Sequence, residues 1–341
     1  MRTTIRDVAK AAGVSIATVS KVFNGYSDIN QQTKQEILKI AKELDYSPNM
    51  AARTLSSKKQ QTIALILNEL NFNRKSTMPL EVLNGVYRYT DQSDFEFVFY
   101  GTSTEKQKQK TFSQFCNEHN ITGVVIQGLK TTDPYYQEVQ QTSLPTVLID
   151  MEIDNPKIGL VSIDNEKAAQ EAVDFLIANN HRQIGMINGS RDANVSELRE
   201  KGYRASLAAH GLLVNESYIQ YANYEEEIAY LICKNLLENN QEITALFCAS
   251  DIMAIGAIRG IKDMGLRVPE DISVIGFDDI ILASYVTPEL TTVAQDMERI
   301  GYEAAELLAD IITNQAETSH RKISPHQLKV RQSVEKISEV C

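Results

Sequence analysis

Among the 341 residues there is no tryptophan, and only four cysteines, five histidines and eight prolines. Cys116, Cys233, Cys248 and Cys341 lie far apart without a C-x-x-C pair, which argues against a disulfide framework and against a structural zinc site. The histidines, His119, His181, His210, His320 and His326, are equally scattered, so neither a metal nor a cofactor is expected. Long apolar runs are also missing. The longest aliphatic stretch, 63–67, is far short of the about 20 residues that cross a bilayer. Met1-Arg2-Thr3-Thr4-Ile5-Arg6-Asp7 lacks the apolar core and cleavage site of a secretory signal, so a cytoplasmic protein without membrane contact is expected. No G-x-G-x-x-G, G-x-x-x-x-G-K-[ST], G-x-S-x-G or H-E-x-x-H occurs, and no other motif supports an enzyme. What remains, 43% hydrophobic and 23% charged, is ordinary globular composition at a length that suits two or three domains.

The net charge of −11 hides an asymmetry. Residues 1–60 hold ten Lys or Arg against five Asp or Glu, a balance of +5, and the remainder holds 24 against 40, a balance of −16. A small basic head on a large acidic body suggests that the head meets nucleic acid and the body is repelled by it. Within the head, Ile5, Val8, Ala9 and Ala12 recur at helical spacing behind a Thr4 and Asp7 capping box. Gly13-Val14 supplies a turn, Ser15 caps a second helix with Val19, Val22 and Phe23 inward, and Asn24-Gly25 ends it. A third helix starts near Asn30 and places Ile37, Ile40, Ala41 and Leu44 on one face. Ala9, Gly13 and Val19 have the order of a helix-turn-helix: a small residue for close crossing, a glycine for the turn and a valine that locks the second helix onto the first.

Thr4-Ile5-Arg6-Asp7-Val8-Ala9-Lys10-Ala11-Ala12-Gly13-Val14-Ser15-Ile16-Ala17-Thr18-Val19-Ser20-Lys21-Val22-Phe23-Asn24-Gly25 resembles the head of the lactose-repressor-type bacterial transcription regulators. The resemblance implies that the second helix enters the major groove with Ile16, Ala17 and Lys21 at base edges. Lys21 can donate to guanine O6 or N7, whereas Ile16 and Ala17 can touch only apolar groups such as the thymine methyl. Packing at the helix start is the other reading of Ile16. Ser15, Thr18, Ser20 and Asn24 suit phosphate contacts that set register.

Ser47-Pro48-Asn49-Met50-Ala51-Ala52-Arg53-Thr54-Leu55 resembles the same family's hinge helix. Asn49 then caps it, Ala51 and Ala52 admit a partner hinge, Arg53 faces the DNA and Leu55 is a minor-groove wedge. Freezing about eight residues at about 1–2 kcal/mol each costs on the order of 10 kcal/mol, so a hinge this short orders only on DNA beside its twin. Ser56 stands where many members have Lys, which leaves Lys58 and Lys59 to supply phosphate contacts.

In the body, apolar runs at 63–67, 95–100, 123–126, 146–149, 184–187, 245–248 and 272–275 alternate with helix-length segments, the pattern of parallel sheets covered by helices. Seven runs suit two sheets, with crossings near 160–162 and 290–293. Ligands of such sheets bind beyond the strands' carboxyl ends, here in a cleft between two lobes. The resemblance extends through 145–150, Ser162-Ile163-Asp164-Asn165, Arg199-Glu200-Lys201-Gly202-Tyr203, Ala249-Ser250-Asp251-Ile252-Met253-Ala254 and Ile275-Gly276-Phe277-Asp278-Asp279. It implies effector contacts at Asp150, Arg199, Ser250, Asp278 and Met297, with an aromatic platform at Tyr221 or Tyr224. Carboxylates, a guanidinium and an aromatic face suit a sugar. For Arg199 and Asp278 the other reading is a structural ion pair across the cleft. Asp251 and Asp279 read as caps, and His181-Arg182 as a structural hydrogen-bonding pair. Arg74 and Lys75, in the loop after the first strand, either meet an anionic effector or face water.

The resulting expectation is a multidomain chain: an all-α helix-turn-helix head at 1–46, a hinge helix and linker at 47–61, and an α/β two-lobed, periplasmic-binding-protein-like body at 62–341. Its lobes are expected at 62–160 with 293–323 and at 161–292 with 324–341. The implied function is a sequence-specific regulator, a repressor, acting as a homodimer on a pseudo-palindromic DNA operator under control of a carbohydrate effector. The alternative is a catabolite-control-type regulator triggered by a phosphorylated protein partner. Leu55→Ala is expected to weaken operator binding by a few kcal/mol at most while leaving the body folded; unchanged affinity in a gel-shift titration removes the wedge role.

Overall fold

In the computed structural model, which describes residues 3–23, 29–46, 61–69, 78–155, 157–314 and 320–338, the chain divides into two units, Met1–Gln61 and Thr62–Cys341. Asn24, Asn49, Arg53 and Leu55, with the rest of 47–60, lie outside the described residues, as do Arg74 and Lys75.

Among the described residues the first unit holds three helices, α1 (Ile5–Ala11), α2 (Ile16–Phe23) and α3 (Gln31–Glu43). Asp7 accepts from the Thr4 N–H at 2.8 Å, Ser15 Oγ accepts from the Thr18 N–H at 3.1 Å, and Asn30 accepts from the Gln32 N–H at 2.8 Å. Each side chain thereby satisfies a backbone donor that helix geometry leaves open. Gly13, at φ +64°, makes the left-handed turn between α1 and α2. Val8, Ala9, Val19, Val22, Ile37 and Ala41 form the core, flanked by Phe23 edge-on to Tyr46 at 5.6 Å. Leu44 departs from the expected inward face. It is 36% exposed, because α3 ends one residue earlier and Leu44 serves as its cap.

The body alternates strands and helices: β1 (Thr62–Asn68), α4 (Met78–Asp91), β2 (Glu96–Thr102), α5 (Thr104–Gln109), α6 (Phe112–Glu118), β3 (Gly123–Gln127), α7 (Pro134–Val139), β4 (Thr146–Ile149) and β5 (Ile158–Ile163). Then come α8 (Asn165–Ala178), β6 (Ile184–Asn188), α9 (Asn194–Ala209), β7 (Ile219–Tyr221), α10 (Glu226–Asn239), β8 (Ala245–Cys248), α11 (Asp251–Asp263) and β9 (Ser273–Asp278). The chain ends with β10 (Thr291–Gln295), α12 (Met297–Ile312), β11 (Arg321–Ser324) and β12 (His326–Lys329). Among the described residues these make two six-stranded sheets, β11-β5-β4-β3-β1-β2 and β12-β10-β9-β8-β6-β7, parallel throughout except for the β10 and β12 pair.

Burial on both faces explains the near-continuous apolar strands. Ile63, Leu65 and Leu67 of β1 join one cluster while Ala64 and Ile66 join another, the two-residue alternation of a pleated strand. Edge strands β2, β11 and β12 are the exposed exceptions. Helices α4 and α12 cross backbone to backbone: a Cβ on Gly85 would stand 1.9 Å from the Glu298 carbonyl oxygen, and one on Gly301 2.3 Å from that of Val82.

The crossings between lobes fall later than the expected 160–162 and 290–293. Residues 158–163 pair with β4 and β11, and 291–295 with β9 and β12, so the chain passes between lobes only after Ile163 and Gln295, and again between Ser324 and His326. The sheets therefore take 62–163 with 321–324 and 184–295 with 326–329, in place of the expected divisions at 160/161, 292/293 and 323/324. Strand pairing carries each segment to the end of its ladder before the chain can leave the sheet. Gly85→Ala is expected to destabilise the body by about 1–3 kcal/mol through overpacking. A lower urea midpoint with an unchanged slope supports this, and an unchanged midpoint refutes the close crossing.

Candidate nucleic-acid interface and candidate effector cleft

In the head, Val19 and Val22 bind α2 to the core and leave its other face outward. Ser15, Ile16, Ala17 and Lys21 are exposed, and Thr18 and Ser20 are half-buried. Ile16, 45% exposed, does not pack on the helical core, so the helix-start packing reading lacks its contact. Ser15 and Thr18 share a hydrogen bond between their hydroxyls at 2.8 Å, which ties both to the cap.

In the body, a cleft of about 560 Å³ lies at the carboxyl ends of both sheets, lined from one lobe by Asn68, Gln127 and Asp150 and from the other by Tyr224, Ser250 and Asp278. Asp150 follows β4 with φ 63°, Tyr224 follows β7 with φ 59°, and Asp278 ends β9 with φ 117°. With Glu69 at φ 51° and Asn223 at φ 53°, five non-glycine lining residues stand in the left-handed half of backbone space, which marks a geometry held by its surroundings.

Behind the lining stands Arg199 of α9, 3% exposed. Its Nη1 is 3.7 Å from Asp278 Oδ1 and donates to the Ala249 carbonyl at 2.6 Å, while Nε donates to Asn165 Oδ1 at 2.9 Å. The guanidinium lies 3.7 Å above the Phe277 ring. Asp278 also accepts from Gln295 Nε2 at 2.7 Å, and Asp150 from Ser162 Oγ at 2.5 Å. Burial pushes the Asp278 carboxyl up to about 7 against the opposing pull of Arg199 and Gln295, and raises Asp150 despite Ser162 and Arg199. Two acids with one guanidinium leave an excess of acceptors facing the cleft. Gln127 adds a buried Oε1 without a partner in the structure.

Residues 4–49 match the family model for bacterial regulatory proteins of the lacI family, and 173–334 match a periplasmic binding protein-like domain. Over 334 residues, 98% of this chain and 99% of the relative, the chain is 31% identical to catabolite control protein A of Priestia megaterium. It belongs to the lacI family of bacterial regulatory proteins. Another member, the HTH-type transcriptional regulator CelR of Thermobifida fusca, is 32% identical over 97% of this chain and 98% of its own. Among solved structures, a Lac repressor dimer bound to operator and the anti-inducer ONPF matches with TM-score 0.86 and 26% identity over 98% of this chain and 100% of that one. A CelR–cellobiose complex matches with TM-score 0.74 and 30% identity over 97% and 100%. These relatives are regulators, and no helix among the described residues is long and apolar enough to cross a membrane.

The structure brings Asp150, Ser250 and Asp278 into the lining and sets Arg199 directly behind it. Ser250 is at once a lining residue and the cap of α11, its Oγ accepting from the Met253 N–H at 3.3 Å. Tyr221 and Met297 do not line the cleft. Arg191 covers the Tyr221 ring at 3.7 Å and the Tyr221 hydroxyl donates to Glu200, whereas Tyr224 lines the cleft, its ring against Gly189 and its hydroxyl bonded to Ser196 Oγ at 2.8 Å. Met297 starts α12 with its side chain buried in the core. Arg199 and Asp278 both belong to the second lobe, so their pair does not span the cleft.

Asp251 is a buried anchor, not a cap, accepting from the Ile280 N–H at 2.9 Å and Thr292 Oγ1 at 2.6 Å. Asp279 pairs with Arg331 at 2.6 Å. His181 is structural, bonded to Thr244 Oγ1 and the Glu335 carbonyl. Asn68, Gln127, Lys130, Ser190 and Asn223 line the cleft without having been singled out by their residue type. For the first four the signal was position, at or just beyond the carboxyl end of a predicted strand, whereas Asn223 follows β7, which the sequence did not announce.

A carboxyl raised in the folded state binds its proton there over a range in which the unfolded chain has lost it. Its stabilising contribution is full below about pH 3.8 and is lost as pH rises through about 7. Asp278→Asn is therefore expected to gain thermal stability relative to the parent between pH 5 and pH 8. Parallel melting curves across that range contradict the shift.

Proposed function

We propose that this lacI-family regulator is a cytoplasmic, sequence-specific repressor that binds a pseudo-palindromic operator as a homodimer and takes a carbohydrate effector in its cleft. Residues 1–46 are the DNA-reading head, 47–61 the hinge and 62–341 the effector body in this reading. The observation that carries it is the cleft floor, where Asp150 and Asp278 from opposite lobes surround Arg199 beside the Tyr224 ring. A carboxylate accepts from a hydroxyl and a protonated carboxyl can also donate to one, so both forms of Asp150 and Asp278 can bond adjacent hydroxyls, and an aromatic face covers the apolar side of a pyranose. CelR is solved with cellobiose and Lac repressor with ONPF and operator, which supports both ligand classes. On DNA, Ile16, Ala17 and Lys21 read bases, while Ser15, Thr18, Ser20 and Asn24 hold phosphates. In the hinge, Asn49, Arg53 and Leu55 act at the minor groove. A single reading helix per chain spans half a site, so two copies make the palindrome.

Effector binding that bridges the lobes is expected to change operator affinity by about 1–3 kcal/mol, five- to a hundredfold. The test is operator titration at fixed salt with neutral sugars, sugar acids and sugar phosphates. A shift by one compound supports the carbohydrate reading. Operator binding that responds to none of them, but to a phosphorylated protein, supports catabolite-type control, the reading that similarity to catabolite control protein A favours. Lys21→Ala is expected to relax preference at one operator position by about 1–3 kcal/mol, and a uniform loss reassigns Lys21 to phosphate. Arg199→Ala is expected to abolish effector response while the head still binds DNA; a retained response overturns the site.

A further inference from the structure

Beyond the cleft floor, the two lobes also touch at the rim. Thr131 and Thr132 follow β3 of the first sheet, and Asp192 follows β6 of the second. The Thr131 N–H donates to the Asp192 carbonyl oxygen at 3.1 Å and its Oγ1 to the same oxygen at 3.3 Å, while Thr132 Oγ1 donates to Asp192 Oδ2 at 2.9 Å. None of the three residues lines the cleft, yet Lys130 and Ser190 beside them do.

We propose that Thr131, Thr132 and Asp192 form a clasp that holds the lobes closed without an effector, making them positioning residues for effector binding. Both halves are prepared in advance. The threonine loop is fixed by buried Asp133, which accepts from Thr104 Oγ1 at 2.6 Å, Asn68 Nδ2 at 2.7 Å and the Lys130 N–H at 2.8 Å. On the other lobe Ser190 donates to the second Asp192 oxygen, and the Ala193 N–H donates to the Ser190 carbonyl at 3.2 Å. Although burial works to raise it, the Asp192 carboxyl stays below the usual carboxylate range through Ser190, Thr132 and the nearby Lys130 charge, so it remains an acceptor at neutral pH. Both threonines are exposed, and water competes for their bonds. Such a clasp opens readily, as a rim that must admit a ligand requires. An effector then meets lobes already biased toward closure, and the ordering cost of binding falls.

The clasp stands without the carbohydrate reading, and only its consequence for affinity rests on it, so the test uses the full chain with no ligand added. Hydrogen exchange is followed at the Thr131 amide, whose N–H makes the cross-lobe bond. Thr132→Val and Asp192→Ala are expected to speed that exchange about three- to tenfold, Thr132→Ser to restore protection, and the Val125 and Val147 amides of the core strands to stay unchanged. Thr131 exchange at the unprotected rate in the parent chain overturns the proposal, as does equal protection in parent and variants. Because no sugar is present, failure of the effector assignment leaves this result standing.

Discussion

A parallel strand cannot return to its sheet by a hairpin; it needs a crossover, and here most crossovers are helices that cover a face of the sheet, while β4 to β5 and β9 to β10 are joined by segments without an α-helix. The body follows from this constraint. Because the crossovers repeat, the parallel strands of each sheet end on the same side, and the loops that leave those ends carry Asp150, Ser190, Tyr224, Ser250 and Asp278 to that rim of their sheet. Two such rims facing each other make a cleft in which a ligand touches both lobes, which is the requirement for coupling occupancy to lobe closure. Chain passages after Ile163, after Gln295 and before His326 connect the lobes.

Charge is distributed along the same lines. The cleft floor carries more carboxylate than guanidinium, and Arg199 is committed to Asp278, Asn165 and the Ala249 carbonyl. Its role is therefore to keep the Asp278 carboxylate, raised by burial, in place and available as an acceptor. Breaking such a buried pair from one side leaves a charge without its partner, which is more damaging than its net contribution to stability suggests. At the rim the opposite design holds. Exposed bonds between Asp192 and two threonines are individually weak, because water competes for them.

How far the sequence could be read differs from element to element. In the head nearly every signal was local: Thr4 with Asp7, Ser15 and Asn30 cap the helices that their positions predict, and Gly13 makes the expected turn. Among the described residues of the head Leu44 escaped, since a one-residue difference in helix length moves a side chain from core to surface. In the body the apolar strands were legible because burial on both faces makes them continuous. Short or polar strands such as Ile219–Tyr221 and Arg321–Ser324 were not, since they owe their conformation to a neighbour distant in sequence.

The sequence by itself determined the basic helical head, the sheet-and-helix alternation of the body and the residue types that could meet a polyol, because capping, periodicity and charge act over a few residues. Only the tertiary structure decided that Tyr224 and not Tyr221 lines the cleft, that Met297 belongs to the core, that Arg199 stands behind its acid within one lobe, and that Asp192 reaches Thr131 and Thr132 across the rim. Each of these depends on the direction of a side chain relative to segments tens to more than a hundred residues away. That direction is set by packing, which a linear pattern does not encode locally.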